Sequence, residues 1–350
     1  MNRLRTILRL LLKLAGIALA VLLVWKTLDS AEADFTSALA NSLKLPLALT
    51  FVCYGIVNLI AAWRWKILLH VQGIDISLTT ALRLTLIGVF FSNIIPGSVS
   101  GDLIKSAFIA GYTESRKAEA ILTIVVDRIV GLMGLFVVAM LSSALLIAIY
   151  PNEVIGSTVL MTALAAICAG GIAIVIGTAV ILSRGWWMSF RPAKAVLAFA
   201  ARHTPHKIAE LAERLATALD LYRLHPAAAV KTLAISSVVH TLLACMNYLL
   251  GKAFHETAMT PLQYIVSTQI GNVTGLFPLT PGGMGIRDAV TATFMKIFHA
   301  TPEEAMALIP VAYSLTMVAW ALVGAVCLVL SPSSSNSQRQ PSDSSHQSHI

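Results

Sequence analysis

The chain has 350 residues, of which 57 % are hydrophobic and only 12 % charged, with a mean hydropathy of +0.79. Soluble domains carry about 25 % charged residues. Half that share leaves too little charge to cover a water-facing surface, which excludes a soluble enzyme and the pair of soluble domains that length alone would allow. The net charge of +8 is read by position rather than as a sum, because Lys and Arg set sidedness in a membrane protein, and it gives no ground for nucleic-acid binding.

The first apolar run, 7–25, carries Arg3, Arg5, Arg9 and Lys13 at its front. It reads as a retained span. The competing reading is a cleaved signal peptide, helped by Ala31-Glu32-Ala33, but that site stands behind Lys26 and Asp29, and Lys13 breaks the basic-then-apolar order. Further spans are predicted at 45–63, 118–150, 154–182, 228–251 and 304–330, each near or above the roughly 20 residues that cross a hydrocarbon core. Two other apolar stretches are broken. Residues 79–112 are interrupted at Pro96-Gly97-Ser98-Val99-Ser100-Gly101, and residues 259–299 at Pro278-Leu279-Thr280-Pro281-Gly282-Gly283-Met284-Gly285. Each arm is too short to cross comfortably, so both stretches read as re-entrant hairpins. The expected fold is an all-α polytopic membrane domain over 1–330, with about six full transmembrane helices and two re-entrant helical hairpins.

Charge placement then assigns the sides. With both hairpins re-entrant, segments 1–13, 63–83, 105–117 and 184–231 share one side and hold 18 Lys and Arg. Segments 26–44, 151–153, 252–261 and 299–303 share the other and hold 3. The basic side is cytoplasmic, which places both termini in the cytoplasm of a bacterial inner membrane. The halves then form an inverted repeat, and paired Pro/Gly-interrupted segments in matching halves point to a transport site. Residues 184–227 form a polar insertion. Trp186 and Trp187 suit the interface, and Ile208, Leu211, Leu215, Leu219 and Tyr222 recur at helical spacing, as in a helix lying on the inner leaflet or docking a partner. The tail 331–350 is rich in Ser, Gln and Pro and reads as disordered.

Asp102, Asp127 and Asp288 fall at membrane depth, with Lys105, Arg128 and Arg287 as their expected cations. Ionisable residues there are costly and mark functional sites. Each hairpin tip offers a glycine-rich turn followed by a helix start, where unpaired N–H groups and the helix dipole favour an anion. The competing reading is that Asp102 and Asp288 cap their helices and the cations neutralise them. His240 reads as a hydrogen-bonded structural histidine. Cys53, Cys168, Cys245 and Cys327 lie in apolar runs without a CxxC pair and read as buried small hydrophobes. No metal, cofactor or catalytic residue is expected.

The run Ser92-Asn93-Ile94-Ile95-Pro96-Gly97-Ser98-Val99-Ser100-Gly101-Asp102 leading to Lys105, then Val126-Asp127-Arg128-Ile129-Val130-Gly131, then Pro281-Gly282-Gly283-Met284-Gly285-Ile286-Arg287-Asp288 resembles the flippase-like membrane domain of lysylphosphatidylglycerol synthases and their stand-alone relatives. Three departures are visible. Ser100-Gly101 stands where the family usually has two glycines, Lys105 where it has Arg, and Asp288 where it often has Glu. The Lys loses bidentate phosphate recognition. The resemblance implies movement of a lipid or lipid-linked sugar between leaflets. The expected headgroup residues are Asn93, Pro96, Gly97, Gly101, Asp102, Lys105, Asp127, Arg128, Pro281, Gly282, Gly283, Gly285, Arg287 and Asp288. Alternatives are a membrane enzyme on polyprenyl or lipid phosphates, and a scaffold for a cytoplasmic glycosyltransferase or lipid-modifying enzyme. An aminoacyl-lipid synthase activity is not expected.

Overall fold

The computed structural model describes residues 33–95, 100–113, 116–182, 220–222, 224–276 and 281–330. The predicted span 7–25, Trp186, Trp187, most of the predicted surface helix, the tip residues Pro96 and Gly97, and the tail lie outside them.

Local chemistry sets the helix boundaries. α1 (Ala33–Asn41) is followed by α2 (Lys44–Val71), which runs two turns beyond the predicted span. α3 (Leu78–Ile94) starts where the Ser77 hydroxyl accepts from Thr80 N–H at 3.1 Å. It stops at Ile95, whose extended backbone (φ −89°, ψ 123°) is the conformation required before proline. α4 (Ser100–Ile109) completes the first broken segment. α5 (Lys117–Ile149) ends ahead of Pro151, which opens α6 (Pro151–Gly156) in the position where a missing N–H costs nothing. α7 (Thr158–Leu182) follows. α8 (Pro226–Ala253) and α9 (Pro261–Thr274) also open on proline, and α9 carries a reciprocal Thr260–Gln263 capping box. A single 3₁₀ turn (Pro281–Gly283) leads to α10 (Ile286–Ile297), and α11 (Ala305–Val329) closes the described chain. No strand occurs among the described residues.

Helices α2, α5, α7, α8 and α11 are long and apolar enough to cross a bilayer. Their exposed faces are themselves apolar: Leu45, Leu49, Val52, Ile56 and Leu59 line one side of α2, and Leu141 and Leu145 of α5 are likewise uncovered. Water would not tolerate such stripes, whereas hydrocarbon does. The chain is an all-α polytopic membrane protein. The four cysteines are free, but the expected burial fails: Cys245 is exposed and the other three are only partly covered. A small apolar side chain loses nothing by facing lipid.

Two core clusters hold the bundle. Tyr54, Leu146, Met246, Leu250, Tyr264 and Ile309 join α2, α5, α8, α9 and α11. Trp65, Leu69, Ile87, Phe90 and Ala321 join α2, α3 and α11. The described parts of the segments expected on one side by charge sit at one end. Lys231 lies over the Trp63 ring at 5.1 Å, Arg116 donates to Gln72 C=O, and Arg83 donates to Tyr112. At the other end Leu43 N–H donates to Ala253 C=O, Thr257 N–H to Thr301 C=O, and Gln263 to Glu153.

Each broken segment folds back on itself. In the first, Arg83 near the start of α3 meets Tyr112 beyond the end of α4, while Ser100 at the start of α4 donates to Ile95 C=O. In the second, Gly271 on α9 lies against Thr291 and Arg287 on α10. The hairpins enter from opposite ends and meet, with Gly282 of the second against Asn93 of the first. The packing of α2–α3–α4–α5 is matched pair for pair by α8–α9–α10–α11. α3 packs on α4 as α9 on α10, α4 on α5 as α10 on α11, and α3 on α11 as α9 on α5. The equivalent helices α2 and α8 run antiparallel, since Leu43 meets Ala253 and Arg64 meets Ser236. The two halves are therefore inverted relative to each other.

Candidate functional site

Glycine makes the hairpins close. A Cβ at Gly101 would stand 2.2 Å from Gly88 C=O, so only glycine lets α4 start against α3. At the second tip Gly282, Gly283 and Gly285 hold φ of 59°, 72° and 85°, a region L side chains avoid. Pro281 opens this turn, and Gly285 is the N-cap of α10.

The ionisable residues of the two hairpins and of the helices beside them form two clusters. In the first, Arg64 Nε binds Asp127 Oδ1 at 2.9 Å and its Nη1 donates to Ser236 Oγ at 2.9 Å. Arg128 pairs with Asp102. The sequence expected Asp102 with Lys105 and Asp127 with Arg128, and the structure re-sorts both pairs. Asp127 and Arg128 are adjacent on α5, so they diverge by about 100° around the helix axis, one toward α2 and one toward α4. Lys105 is left over. It is 6 % exposed, its Nζ lies 3.6 Å above the Trp65 ring, and among the described residues it has no hydrogen-bond acceptor and no carboxylate within ion-pair distance. Trp65 is fixed in turn by donating to Thr123 at 3.0 Å. Among the described residues the cluster holds three cations and two carboxylates, a surplus of one positive charge.

The second cluster is closed. Arg287 Nη2 meets Asp288 Oδ1 at 2.9 Å, and Nη2 donates to Ser314 Oγ, which passes its own proton toward Asp288 Oδ2 at 2.5 Å. Arg287 Nη1 reaches Gly282 C=O at 3.4 Å, and the guanidinium lies 4.7 Å from the Tyr313 ring centre. Asp288 Oδ2 accepts from Gly285 N–H at 3.1 Å. The capping reading thus describes Asp288, while Asp102 spends its carboxylate on another helix.

The structure brings Gly101, Asp102, Lys105, Asp127 and Arg128 together on one side, and Pro281, Gly282, Gly283, Gly285, Arg287 and Asp288 on the other. Asn93 sits between them, buried against Gly282. Arg64, Trp65, Ser236 and Ser314 were not anticipated. Arg64 was counted as a loop charge because the predicted span stopped at residue 63. His240 is hydrogen-bonded as expected, through Nε2 to Gly131 C=O at 3.1 Å. Among the described residues no three His, Cys, Asp or Glu side chains group as a metal site.

The lysylphosphatidylglycerol synthase TM region matches residues 13–327. A UPF0104 membrane protein of Methanothermobacter thermautotrophicus is 23 % identical over 332 residues, covering 90 % of this chain and 92 % of that protein. With a match over nearly its whole length, the chain belongs to the lysylphosphatidylglycerol synthase transmembrane-region family.

Proposed function

We propose that the protein is a lipid translocase that passes an anionic headgroup, of a membrane lipid or a lipid-linked glycan, between its two hairpin tips while the acyl chains stay in the bilayer. The observation that carries this is Lys105. A buried ammonium whose neighbouring carboxylates, Asp102 and Asp127, are each in contact with another cation is costly, and a negatively charged ligand offsets that cost. Lys105 stands one turn beyond the start of α4, and that helix start also favours an anion. Inverted repeats place their substrate where the halves meet, and the two hairpin tips, one from each half, meet at Asn93 and Gly282. The 18-to-3 bias of Lys and Arg supports an inner-membrane protein with both termini and the 184–227 segment in the cytoplasm. There that segment is available to a glycosyltransferase or lipid-modifying partner.

The test is transfer of fluorescent anionic lipid between leaflets of proteoliposomes, normalised to folded protein. Lys105→Gln is expected to lower transfer at least tenfold. Wild-type transfer by folded Lys105→Gln protein sinks the reading, and a covalently altered lipid would move the protein to the enzymes.

A further inference from the structure

Three buried hydrogen-bond acceptors, on α3, α8 and α9, have no partner among the described residues. Asn93 Nδ2 donates to Val89 C=O at 2.7 Å, which fixes the amide orientation and leaves Oδ1 without a partner among the described residues. Asn93 is 2 % exposed, and a Cβ at Gly282 would lie 2.7 Å from that same Oδ1, so the oxygen faces the junction of the two tips. Gln269 on α9 repeats the arrangement. Its Nε2 donates to His240 C=O at 2.9 Å, and its Oε1, on a fully buried side chain, has no partner. His240 gives Nε2–H to Gly131 C=O, which makes Nδ1 an acceptor, and that atom too is buried and unpartnered. Gly131 C=O also accepts from Ser236, which binds Arg64. The His240 ring is therefore three hydrogen bonds from Arg64 of the charged cluster, and Gln269 one bond further.

Buried acceptors left unpaired are rare and call for an explanation. Capping, helix ladders and ion pairs do not use these three atoms. They are acceptors, so what completes them is a donor. An ammonium donor would add positive charge where the nearby cluster already has one in surplus. A hydroxyl adds none. We infer that the headgroup carried by this protein is a monoanionic phosphodiester bearing hydroxyl groups, whose phosphate meets Lys105 and whose hydroxyls donate to Asn93, Gln269 and His240. The inference rests on the translocase reading for the anion and adds what is attached to it. A glycerol and a sugar share this chemistry.

Native mass spectrometry of the full chain in detergent, titrated with single lipids, separates the possibilities. The panel is phosphatidylinositol (a ring polyol), phosphatidylglycerol (a short diol), phosphatidylmethanol (the same charge with no hydroxyl) and phosphatidylethanolamine (an ammonium donor with no net charge). One neutral hydrogen bond corresponds to roughly a three- to tenfold change in affinity. The hydroxylated lipids are expected to bind about tenfold or more tighter than phosphatidylmethanol. Gln269→Met and Asn93→Leu, both close in volume to the native residues, are each expected to lower that ratio about threefold or more. A ring polyol preferred over glycerol points to a sugar headgroup, and the reverse to a short polyol; either result supports the inference. Equal binding of phosphatidylmethanol and both hydroxylated lipids overturns it, as does phosphatidylethanolamine matching them, or a ratio unchanged in both variants. If no anionic lipid binds, the anion site around Lys105 fails. If the preference holds but proteoliposomes move no lipid, the translocase reading fails and the headgroup assignment stands.

Discussion

Replacing Lys105 with Met is expected to raise stability while ending transport, and the opposed signs make it the most discriminating single change. The side chain is 6 % exposed and faces the Trp65 ring at 3.6 Å, with no carboxylate within ion-pair reach among the described residues. Burying an ion costs several kcal/mol after relaxation, and a desolvated cation–π contact returns about 2 kcal/mol. The uncompensated remainder is on the order of 1–4 kcal/mol, the range in which apolar replacements of buried ions stabilise. Met keeps the length of the stem and its contact with the ring. At roughly 2 °C per kcal/mol for a chain above 150 residues, the midpoint of thermal unfolding in detergent should rise by about 2–8 °C. Asp127→Asn is the control with the opposite expectation. It strips the partner from Arg64, whose side chain is 9 % exposed, and breaking such a pair costs about 3–5 kcal/mol. Its midpoint should fall steeply. If Lys105→Met lowers the midpoint instead, the ammonium is already neutralised within the fold, and the argument for an anion at that position collapses.

Two further outcomes follow from packing and sidedness. Gly101→Val should abolish the folded first hairpin, since its Cβ would stand 2.2 Å from Gly88 C=O and from Ser92 Oγ; a loss of well over 2 kcal/mol is expected, read as loss of a cooperative thermal transition, while Val at Gly156, which has nothing within 4 Å, serves as the tolerated comparison. In a background lacking the native cysteines, Glu303→Cys should react with an impermeant maleimide in intact cells and Asp75→Cys should not, because positions 303 and 75 stand at opposite, exposed ends of the bundle; the reverse labelling pattern inverts the proposed orientation.

Much of this architecture was legible from composition and punctuation alone. Apolar runs interrupted at residues 96–101 and 278–285 gave the broken helices, because proline and glycine act locally and need no tertiary context. The grouping of segments by Lys and Arg content predicted which loops share an end, and contacts such as Lys231 over Trp63 agree with it. Of the three expected ion pairs, Arg287 with Asp288 was legible and the other two were not. Sequence proximity suggested Asp102 with Lys105, three residues along one helix, yet Asp102 reaches Arg128 on α5. Which of several cations a carboxylate meets depends on how helices are rotated against each other, and a span with apolar residues on every face carries no periodic signal of that rotation. Arg64 was hidden for a simpler reason. Hydropathy places a span's end at its first charge, whereas the helix continues to Val71 and keeps Arg64 inside.

The matching sequence plans of the two tips conceal a difference that the buried charges make plain. In the second half the acid and cation are neighbours, Arg287 and Asp288, and α11 offers only the neutral Ser314, so the pair closes on itself. In the first half α5 offers both an acid and a cation. Arg128 takes Asp102 from the hairpin, and Asp127 would be free to balance Lys105 had α2 not inserted Arg64. The antiparallel partner helix α8 supplies Ser236 at that contact rather than a second acid. The surplus charge therefore arises from Arg64 on α2, outside both hairpin motifs. An inverted repeat with equivalent tips would bind a ligand equally from both sides; on the proposed translocase reading, one charged tip facing one neutral tip would give the path a preferred anion position, on the half that holds Lys105.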